Sequence, residues 1–458
     1  MDLPGALPGL TRLRPDDHFM MLSETDASPM HVGALLLFAH VPSDFGPAIR
    51  RQFAERLPAT PLLTRLVEAP EGYDSDVWAD LAACDLDYHL TRIGDALDPV
   101  ALRAAVAQLS MERLDLSRAP FRGFVFDGLP DGAGAVYLKV HHAVADGIGF
   151  QEIVRRLSDG QDPAPPRAAD AVLPDEATWR VAADARFAAL EAATAAHSAQ
   201  RRAALAALDA RKADPATARA RTPTLAMSGA TSARRALATV SIPLDRVKAL
   251  GAALGGTVND IFMALAATVV RDTLIAAGDL PDTPIVVNSA RSYRREEHGP
   301  FGNRIVALHP HLGTHLADPL DRLRAIQASM AVERGRTHLD EAMLGAPERP
   351  FGPRDRRAKF AERTGDGARL LPGNITLSNV PGPTEPLRFA GMATQANYPV
   401  PIIGSGRFLN ITSRRNGPIL DIGVMNDASR LPDAQAIADR IAAALELYEV
   451  LREPAAGG

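Results

Sequence analysis

The chain is nearly devoid of cysteine, since its 458 residues include a single one, Cys84. One cysteine cannot form a disulfide within the chain, and it makes a cysteine-based metal site a poor hypothesis. We therefore expect a fold held together by its hydrophobic core, in a reducing compartment. Nothing around Cys84 indicates an activated thiol, so we interpret it as a small apolar residue.

An excess of charge of one sign is also lacking. The chain has 50 Lys and Arg residues against 55 Asp and Glu residues, for a formal net charge of -5. This balance excludes the strongly basic face with which nucleic-acid-binding proteins neutralise phosphates. We expect no nucleic-acid partner.

Long apolar runs are the third absence. No stretch of about 18 or more apolar residues is free of charges, so no helix is predicted to span a bilayer. Residues 1–17 do not form a basic region followed by an apolar core, so no secretory signal is predicted. We predict a cytoplasmic protein and leave open a peripheral association with a membrane or lipid droplet.

Both halves of the chain alternate apolar strand patterns with helical patterns, which is typical of α/β proteins. Strands are predicted at 31–40, 134–142, 236–244, 284–290, 374–380, 408–413 and 419–425, and helices at 147–157, 244–254, 257–278, 317–330 and 433–451. A segment rich in Ala and Pro separates the halves and has a long helical pattern at about 175–212. We predict an N-terminal domain at 1–160, a helical linker at 161–235 and a C-terminal domain at 236–458.

Two adjacent histidines end one predicted strand, in KVHHAVADGIGF at 139–150. Neighbouring side chains on a strand point to opposite faces, so His141 and His142 are not expected to share a metal ion. We interpret His141 as a hydrogen-bonded structural residue. For His142 the residues alone leave a structural and a catalytic role equally open, because an imidazole titrates near neutral pH and suits general base catalysis.

The turn after the histidines contains Asp146 and Gly147. Asp146 is placed to cap the following helix or to hold the loop through an ion pair, and Gly147 to relieve the backbone at the turn. The chain has no G-x-S-x-G elbow, and neither of the glycine-rich phosphate-binding motifs. A histidine without its own nucleophile favours direct transfer, in which the base deprotonates a bound acceptor that then attacks.

HHAVADG has the form H-H-x-x-x-D-G and resembles the signature of the CoA-dependent acyltransferase superfamily. Further stretches narrow the likeness to the bacterial wax ester synthase/diacylglycerol acyltransferase (WS/DGAT) family, which they resemble in the same order. These stretches are SPMHVGALLLF (28–38), DLDYHL (85–90), TVNDIFMALAA (257–267), FGNRIVALHPHL (301–312), LSNVPGPTEPL (377–387) and LNIT (409–412). The resemblance covers about residues 12–450.

This resemblance implies two chloramphenicol-acetyltransferase-like domains with a channel between them. Acyl-CoA and an acceptor alcohol would meet there, and a fatty acyl group would pass to a long-chain alcohol or diacylglycerol, giving wax esters or triacylglycerols. No cofactor is implied beyond acyl-CoA as co-substrate. His142 would be the general base, with Asp146 beside it in the catalytic site. Asp146 and Gly147 would form the structural pair of the motif, and His141 would be structural as well.

The resemblance also implies roles for two further pairs of residues. Asn259 and Asp260 match an Asn-Asp motif near the channel, where Asn259 or a backbone N–H would stabilise the oxyanion. Helix capping is an equally good interpretation of Asn259 and the favoured one of Asp260. Ser378 and Asn379 would lie on a strand near the site, although a turn before Pro381 explains them as well.

Cations are expected where the phosphates of CoA enter. One candidate group is Arg291, Arg294 and Arg295, and a second lies in the basic stretch at 353–360; solvated surface charge is the alternative for both. The chain departs from the family at Pro120-Phe121-Arg122, because the family usually has Pro-Leu-Trp there. If Arg122 lines the channel, long apolar alcohols are expected to be poorer acceptors. If Arg122 is peripheral, it has no bearing on the choice of acceptor.

Two other functions stay open. Because of Arg122, a second hypothesis stays open: the chain is an acyltransferase that acts on another alcohol, such as a polyketide or a sugar derivative. The acyl donor in that case could be a carrier protein instead of CoA. The chain could also be a catalytically inactive protein that coats lipid droplets. The intact His142, Asp146 and Gly147 favour the enzyme.

Overall fold

The computed structural model describes residues 5–70, 74–162, 164–196, 198–213, 218–344, 372–404, 406–431 and 433–452. The elements of the first half are, in chain order, β1 (Leu10–Arg12), α1 (Pro15–Leu22), β2 (His31–Phe38), α2 (Phe45–Arg56), β3 (Thr64–Val67), β4 (Val77–Asp80), α3 (Leu86–His89), β5 (Leu90–Ile93), α4 (Pro99–Met111), β6 (Phe121–Phe126), β7 (Gly134–His141) and α5 (Gly147–Leu157). The linker contains α6 (Glu176–Ala196) and α7 (Ser198–Ala213).

The elements of the second half are β8 (Arg235–Pro243), α8 (Leu244–Leu254), α9 (Val258–Ala276), β9 (Val287–Ser292), β10 (Ile305–Leu308), α10 (Pro319–Leu344), β11 (Ile375–Val380), β12 (Arg388–Phe389), β13 (Met392–Ala393), β14 (Ala396–Val400), β15 (Leu409–Asn416), β16 (Ile419–Asp427) and α11 (Ala434–Arg452). Each predicted strand and helix has a counterpart among these elements, and most predicted ends lie within a few residues of the observed ends. Two predictions differ more: the single linker helix is two helices, and α10 continues to Leu344.

Two larger sheets organise the two halves. The first has the order β14-β2-β7-β6-β5, and the second has the order β10-β9-β11-β15-β16-β8. Helices α8, α9 and α11 cover the second sheet and supply much of its buried apolar core. The predicted α/β class with two domains is therefore confirmed.

Strand β14 belongs to the second half of the chain but completes the sheet of the first. It pairs antiparallel with β2 over its whole length, from Ala396 opposite Leu37 to Val400 opposite Gly33. The main-chain hydrogen bonds of this pair join the two halves. The site described below lies where the two halves meet.

The linker helix α6 is anchored on a small sheet with the order β1-β4-β3. The buried carboxylate of Asp74 lies 2.6 Å from Arg12 on β1 and 2.6 Å from Arg186 on α6. Trp179 of the same helix is 3% exposed. One face of α6 is therefore buried against the first half.

Local signals explain where several helices begin and end. Helix α8 ends at Gly255, whose φ of 67° is in the left-handed region that favours glycine. Helix α10 begins at Asp318, whose Oδ1 accepts a hydrogen bond from the backbone N–H of Asp321 at 2.9 Å. Over the described ranges, no single helix has the length and apolar character of a membrane span, and α8 and α9 reach it only together across a 97° bend.

Candidate active site

The imidazole of His142 lies at the boundary between the halves, directly after β7. Its backbone N–H donates to the carbonyl of Met30 at 2.7 Å, which fixes the residue against β2 of the first half. Its Nδ1 is 3.0 Å from Oδ1 of Asn303, a residue of the second half. His142 is half-buried at this boundary, and it is held there by contacts from both halves.

The ring of His141 points the other way, as strand alternation predicts. It is fully buried, and its Nε2 lies 3.6 Å from Glu24 Oε1, a carboxylate that also pairs with His31. The backbone N–H of Ala143 donates to Nδ1 of His141 at 3.1 Å. These surroundings suit the structural role that we predict for His141, and they separate its ring from that of His142.

Asp146 connects the start of α5 to the second half of the chain. Its Oδ1 accepts the backbone N–H of Gly149 at 2.8 Å and so caps the helix. Its Oδ2 accepts from the Arg294 guanidinium and from the backbone N–H of Arg304, each at 3.0 Å. The residue is 1% exposed. Both roles that the sequence suggested, cap and ion pair, are therefore present in one carboxylate.

Arg294, a predicted phosphate-binding residue, points into the protein. Besides Asp146, its guanidinium donates to the carbonyls of Gly299 at 2.7 Å and Phe301 at 2.8 Å. Its side chain is 11% exposed. A phosphate of CoA would have to displace these contacts to bind here.

Gly147 lies at a close approach between the halves. Its φ is not in the left-handed region, so backbone relief is not the reason for a glycine. A Cβ at Gly147 would lie 3.1 Å from Cγ2 of Val380, at the end of β11. The backbone N–H of Gly302 also donates to the carbonyl of Val144 at 3.0 Å. Two segments of the second half thus pack against the turn of the histidine motif.

Asn259 and Asp260 begin α9 and contact residues of the same helix start. One oxygen of Asp260 accepts from the backbone N–H and the hydroxyl of Thr257, each at 2.9 Å, in a capping box. The capping interpretation of Asp260 is confirmed. Asn259 is half-buried, and its Nδ2 lies 3.4 Å from Sδ of Met263. Its role in stabilising an oxyanion stays a prediction.

Ser378 and Asn379 lie within β11 rather than in a turn. Ser378 is opposite Thr412 in the parallel register with β15. Oδ1 of Asn379 accepts from the hydroxyl of Ser413 at 3.1 Å. Because β11 ends against Gly147, the strand brings this pair to the same boundary as the histidine motif.

The remaining predicted phosphate-binding residues differ in exposure. Arg291 is half-buried on β9. Arg295 is 65% exposed, and its guanidinium lies 3.9 Å from Glu297. The residues predicted in the stretch 353–360 lie outside the described part of the chain: Arg354, Arg356, Arg357 and Lys359.

Arg122 lies on β6, directly opposite Lys139 of β7. Its guanidinium donates to the hydroxyl of Thr91 at 2.9 Å and stacks over the ring of Tyr88 at 4.6 Å. It is also 5.3 Å from the ring of Phe124. Each of these contacts is made within the first half, on the sheet face that also carries His141.

A narrow cavity of about 10 Å³ lies between the halves, on the side of His31. A volume of this size is close to what one water molecule needs. Its lining residues come from both halves: Pro29, His31, Ser110, Met111, Arg235, Pro401, Ile402, Ile403 and Met425. The continuous channel that the resemblance implies stays a prediction.

Two residues at the site were not predicted, Asn303 and Asp17. The side-chain amide of Asn303 contacts His142, and its Nδ2 and backbone N–H both donate to Oδ1 of Asp17 at 2.8 Å. Asn303 stands in the stretch 301–312 that carries part of the family resemblance. The sequence offered no signal that this asparagine meets a histidine 161 residues earlier in the chain.

Burial lowers the pKa of His142 below its ordinary value, and a hydrogen bond to its own backbone, the Asp146 carboxylate and the Asn303 amide offset part of this effect. The imidazole is therefore neutral at pH 7 and able to accept a proton. Burial also raises the pKa of the Cys84 thiol to about 11. Cys84 is thus a thiol at neutral pH, which does not suit a nucleophile.

Comparison with known proteins agrees with this geometry. The family model described as wax ester synthase/diacylglycerol acyltransferase catalytic domain matches residues 13–262, and the WS/DGAT C-terminal domain matches residues 301–449. Two Mycobacterium tuberculosis proteins that carry the name diacylglycerol O-acyltransferase are similar over most of their length. One is 31% identical over 95% of this chain and 99% of its own, and the other is 30% identical over 95% and 98%.

Solved structures share the fold at lower identity. The wax ester synthase/diacylglycerol acyltransferase from Marinobacter aquaeolei VT8 has a TM-score of 0.65 at 23% identity, over 96% of this chain and 100% of that one. The first condensation domain of the calcium-dependent antibiotic synthetase, solved with a substrate analogue, has a TM-score of 0.62 at 18% identity, over 98% of both chains.

The two sheets and the strand that joins them match the two-domain, chloramphenicol-acetyltransferase-like fold of these solved structures. Within that class the family is shown by both family models and by the mycobacterial relatives. The chain belongs to the wax ester synthase/diacylglycerol acyltransferase family and is an acyltransferase.

Proposed function

We propose that this protein transfers a fatty acyl group from acyl-CoA to the hydroxyl of a long-chain alcohol or diacylglycerol, giving a wax ester or a triacylglycerol. The observation that carries the proposal is the position of His142. The residue is half-buried where the two halves meet, and burial lowers the pKa of its imidazole, which keeps the ring neutral. A neutral base at such a boundary can meet a donor and an acceptor that enter from different sides.

In the proposed mechanism, His142 accepts the hydroxyl proton while the alcohol oxygen attacks the thioester carbon. A tetrahedral oxyanion forms, for which Asn259 or a backbone N–H supplies a hydrogen bond. The C–S bond then breaks, and the imidazolium protonates the departing CoA thiolate. The base is neutral again at the end of the cycle, and the reaction requires neither an acyl-enzyme nor a cofactor.

Asp146 contributes to this mechanism by holding the motif rather than by moving a proton. Its two oxygens are committed to the start of α5 and to the second half. For the phosphates of CoA, the exposed Arg295 suits binding better than Arg294, whose guanidinium is paired inside the protein. Because the acceptors are lipids, we propose that the protein works at the surface of a membrane or lipid droplet from the cytoplasmic side.

The test is release of CoA from palmitoyl-CoA, measured with hexadecanol, with dioleoylglycerol and with a panel of polyketide and sugar alcohols. Turnover with the lipid acceptors, reduced about 10²–10⁴-fold in His142→Ala, is the expected result. The matched control is His40→Ala, which removes an exposed histidine just after β2 and is expected to keep wild-type turnover. Turnover with the polyketide or sugar alcohols but with neither lipid would contradict the proposal that the acceptor is a lipid. Lipid binding without CoA release in the wild type would indicate a coating protein.

A further inference from the structure

A hydrogen-bonded series of three polar residues crosses the boundary between the halves and ends at His142. Asp17 of α1 is its first member and is 5% exposed. Asn303 is fully buried and donates to Asp17 through both its backbone N–H and its Nδ2. Nδ2 also donates to the carbonyl oxygen of His142 at 2.7 Å. The side chain of Asn303 is thus held by the main chain of the residue whose ring it contacts.

The contacts of Asn303 determine the orientation of its side-chain amide, that is, which positions Oδ1 and Nδ2 occupy. One neighbour of Nδ2 is the carbonyl oxygen of His142, which can only accept. The other is Oδ1 of Asp17, which already faces the backbone N–H of Asn303, a group that can only donate. An amide oxygen in place of Nδ2 would face two acceptors. The nitrogen therefore occupies this position, and the amide oxygen is left facing Nδ1 of His142 at 3.0 Å.

An amide oxygen can only accept a hydrogen bond, so Nδ1 of His142 must carry the proton when it contacts Asn303. In the neutral ring Nε2 then has the free lone pair. We infer that Asn303 is a positioning residue that fixes the Nδ1–H tautomer of His142, and that Asp17 fixes the orientation of Asn303. This inference rests on the proposed function, because it names Nε2 as the atom that accepts the proton of the acceptor alcohol.

The direct test is the tautomer of His142, read from two-bond ¹H–¹⁵N correlation spectra of the full chain labelled with ¹⁵N-histidine at pH 8. The chain has 12 histidines, so the His142 signals are assigned by their absence in His142→Ala. The wild type is expected to show Nδ1–H. Asn303→Ala is expected to lose this preference, and Asp17→Ala to weaken it, because the amide becomes free to turn.

Two variants separate positioning from a general loss of stability. Asp17→Asn keeps an oxygen for Asn303 to donate to and is expected to retain the Nδ1–H tautomer. Asn374→Ala removes another buried asparagine of the second half, whose Nδ2 donates to Pro223 at 2.7 Å. It is expected to lower the thermal midpoint as Asn303→Ala does, with the tautomer of His142 unchanged.

Turnover supplies the second readout. Asn303→Ala is expected to reduce kcat about 100-fold, because misplacing a catalytic group by about 1 Å produces a loss of this order. KM for acyl-CoA is expected to stay within about twofold of the wild-type value. An Nε2–H tautomer in the wild type would overturn the inference, and so would an Nδ1–H tautomer that survives in Asn303→Ala. A wild type that shows Nδ1–H but releases no CoA with any acceptor would overturn the proposed function and leave the tautomer assignment standing.

Discussion

Asp146 and Asp260 each stabilise the start of a helix, and they differ in what else they hold. The carboxylate of Asp260 contacts Thr257 within its own helix start, and its Oδ1 is buried with no hydrogen-bond partner among the described residues. The carboxylate of Asp146 caps α5 with one oxygen and binds Arg294 of the other half with the second. An aspartate beside a helix start predicts capping in both cases, but only the fold shows which one also joins the halves.

The largest expected effect separates these two aspartates by stability. Asp146→Ala removes the cap and leaves Arg294 mostly buried without its carboxylate, so we expect a loss of about 3–5 kcal/mol in the free energy of unfolding. Asp146→Asn keeps an oxygen for Gly149 and is expected to lose less. Urea unfolding measures both. Arg295→Ala, at the exposed neighbour of Arg294, is the control and is expected to change stability by less than about 0.5 kcal/mol.

A smaller loss is expected at the local cap. Asp260→Ala and Thr257→Ala each remove one side of the same capping box, and each should cost about 1 kcal/mol. Because the two residues act together, the double variant should cost less than the sum of the single variants. Urea unfolding of the full cycle checks this. A loss at Asp260 as large as that at Asp146 would contradict the distinction between them.

The pH dependence of kcat/KM distinguishes the two aspartates by charge. His142 must be neutral to accept a proton, and burial lowers its pKa below 6.5 while the Asp146 carboxylate raises it in part. Activity should therefore fall only below pH 6.5, as the imidazole becomes protonated. In Asp146→Asn the acid limb should move to still lower pH, because a charge that favours the imidazolium is gone. Asp260→Asn should leave the limb in place, and an equal shift in both variants would contradict this account.

The smallest effect is expected at Arg122. Its contacts with Thr91, Tyr88 and Phe124 lie within the first half and do not join the two halves. Arg122→Trp restores the aromatic residue that the family usually has and is expected to change the ratio of rates with hexadecanol and dodecanol by less than about threefold. A large gain for hexadecanol would show that this position lines the path of the acceptor.

The sequence predicted the local elements of the site well. The strand and helix around the histidine motif have strong apolar patterns, and β7 and α5 form as the patterns indicate. The opposite orientation of His141 and His142 followed from strand geometry alone. A capping aspartate acts within four residues of its partners, which is why Asp146 and Asp260 could be interpreted from the sequence.

Contacts between distant segments could not be predicted in the same way. Strand β14 contains Pro399, and nothing in its five residues indicates that it pairs with β2 rather than with its own half. Asn303 and Asp17 meet although 286 residues separate them. Arg294 was predicted to bind phosphate because it is cationic, whereas its partners became visible only with the fold.

The most direct test of the account is whether CoA is released from acyl-CoA before an acceptor is present. Wild-type protein is mixed with palmitoyl-CoA alone, CoA is quantified at early times, and the intact mass of the protein is measured. Direct transfer through His142 predicts no stoichiometric release and no acylated protein until an alcohol is added, when release begins in the wild type and not in His142→Ala. A burst of one CoA per protein with a covalent acyl adduct would contradict it.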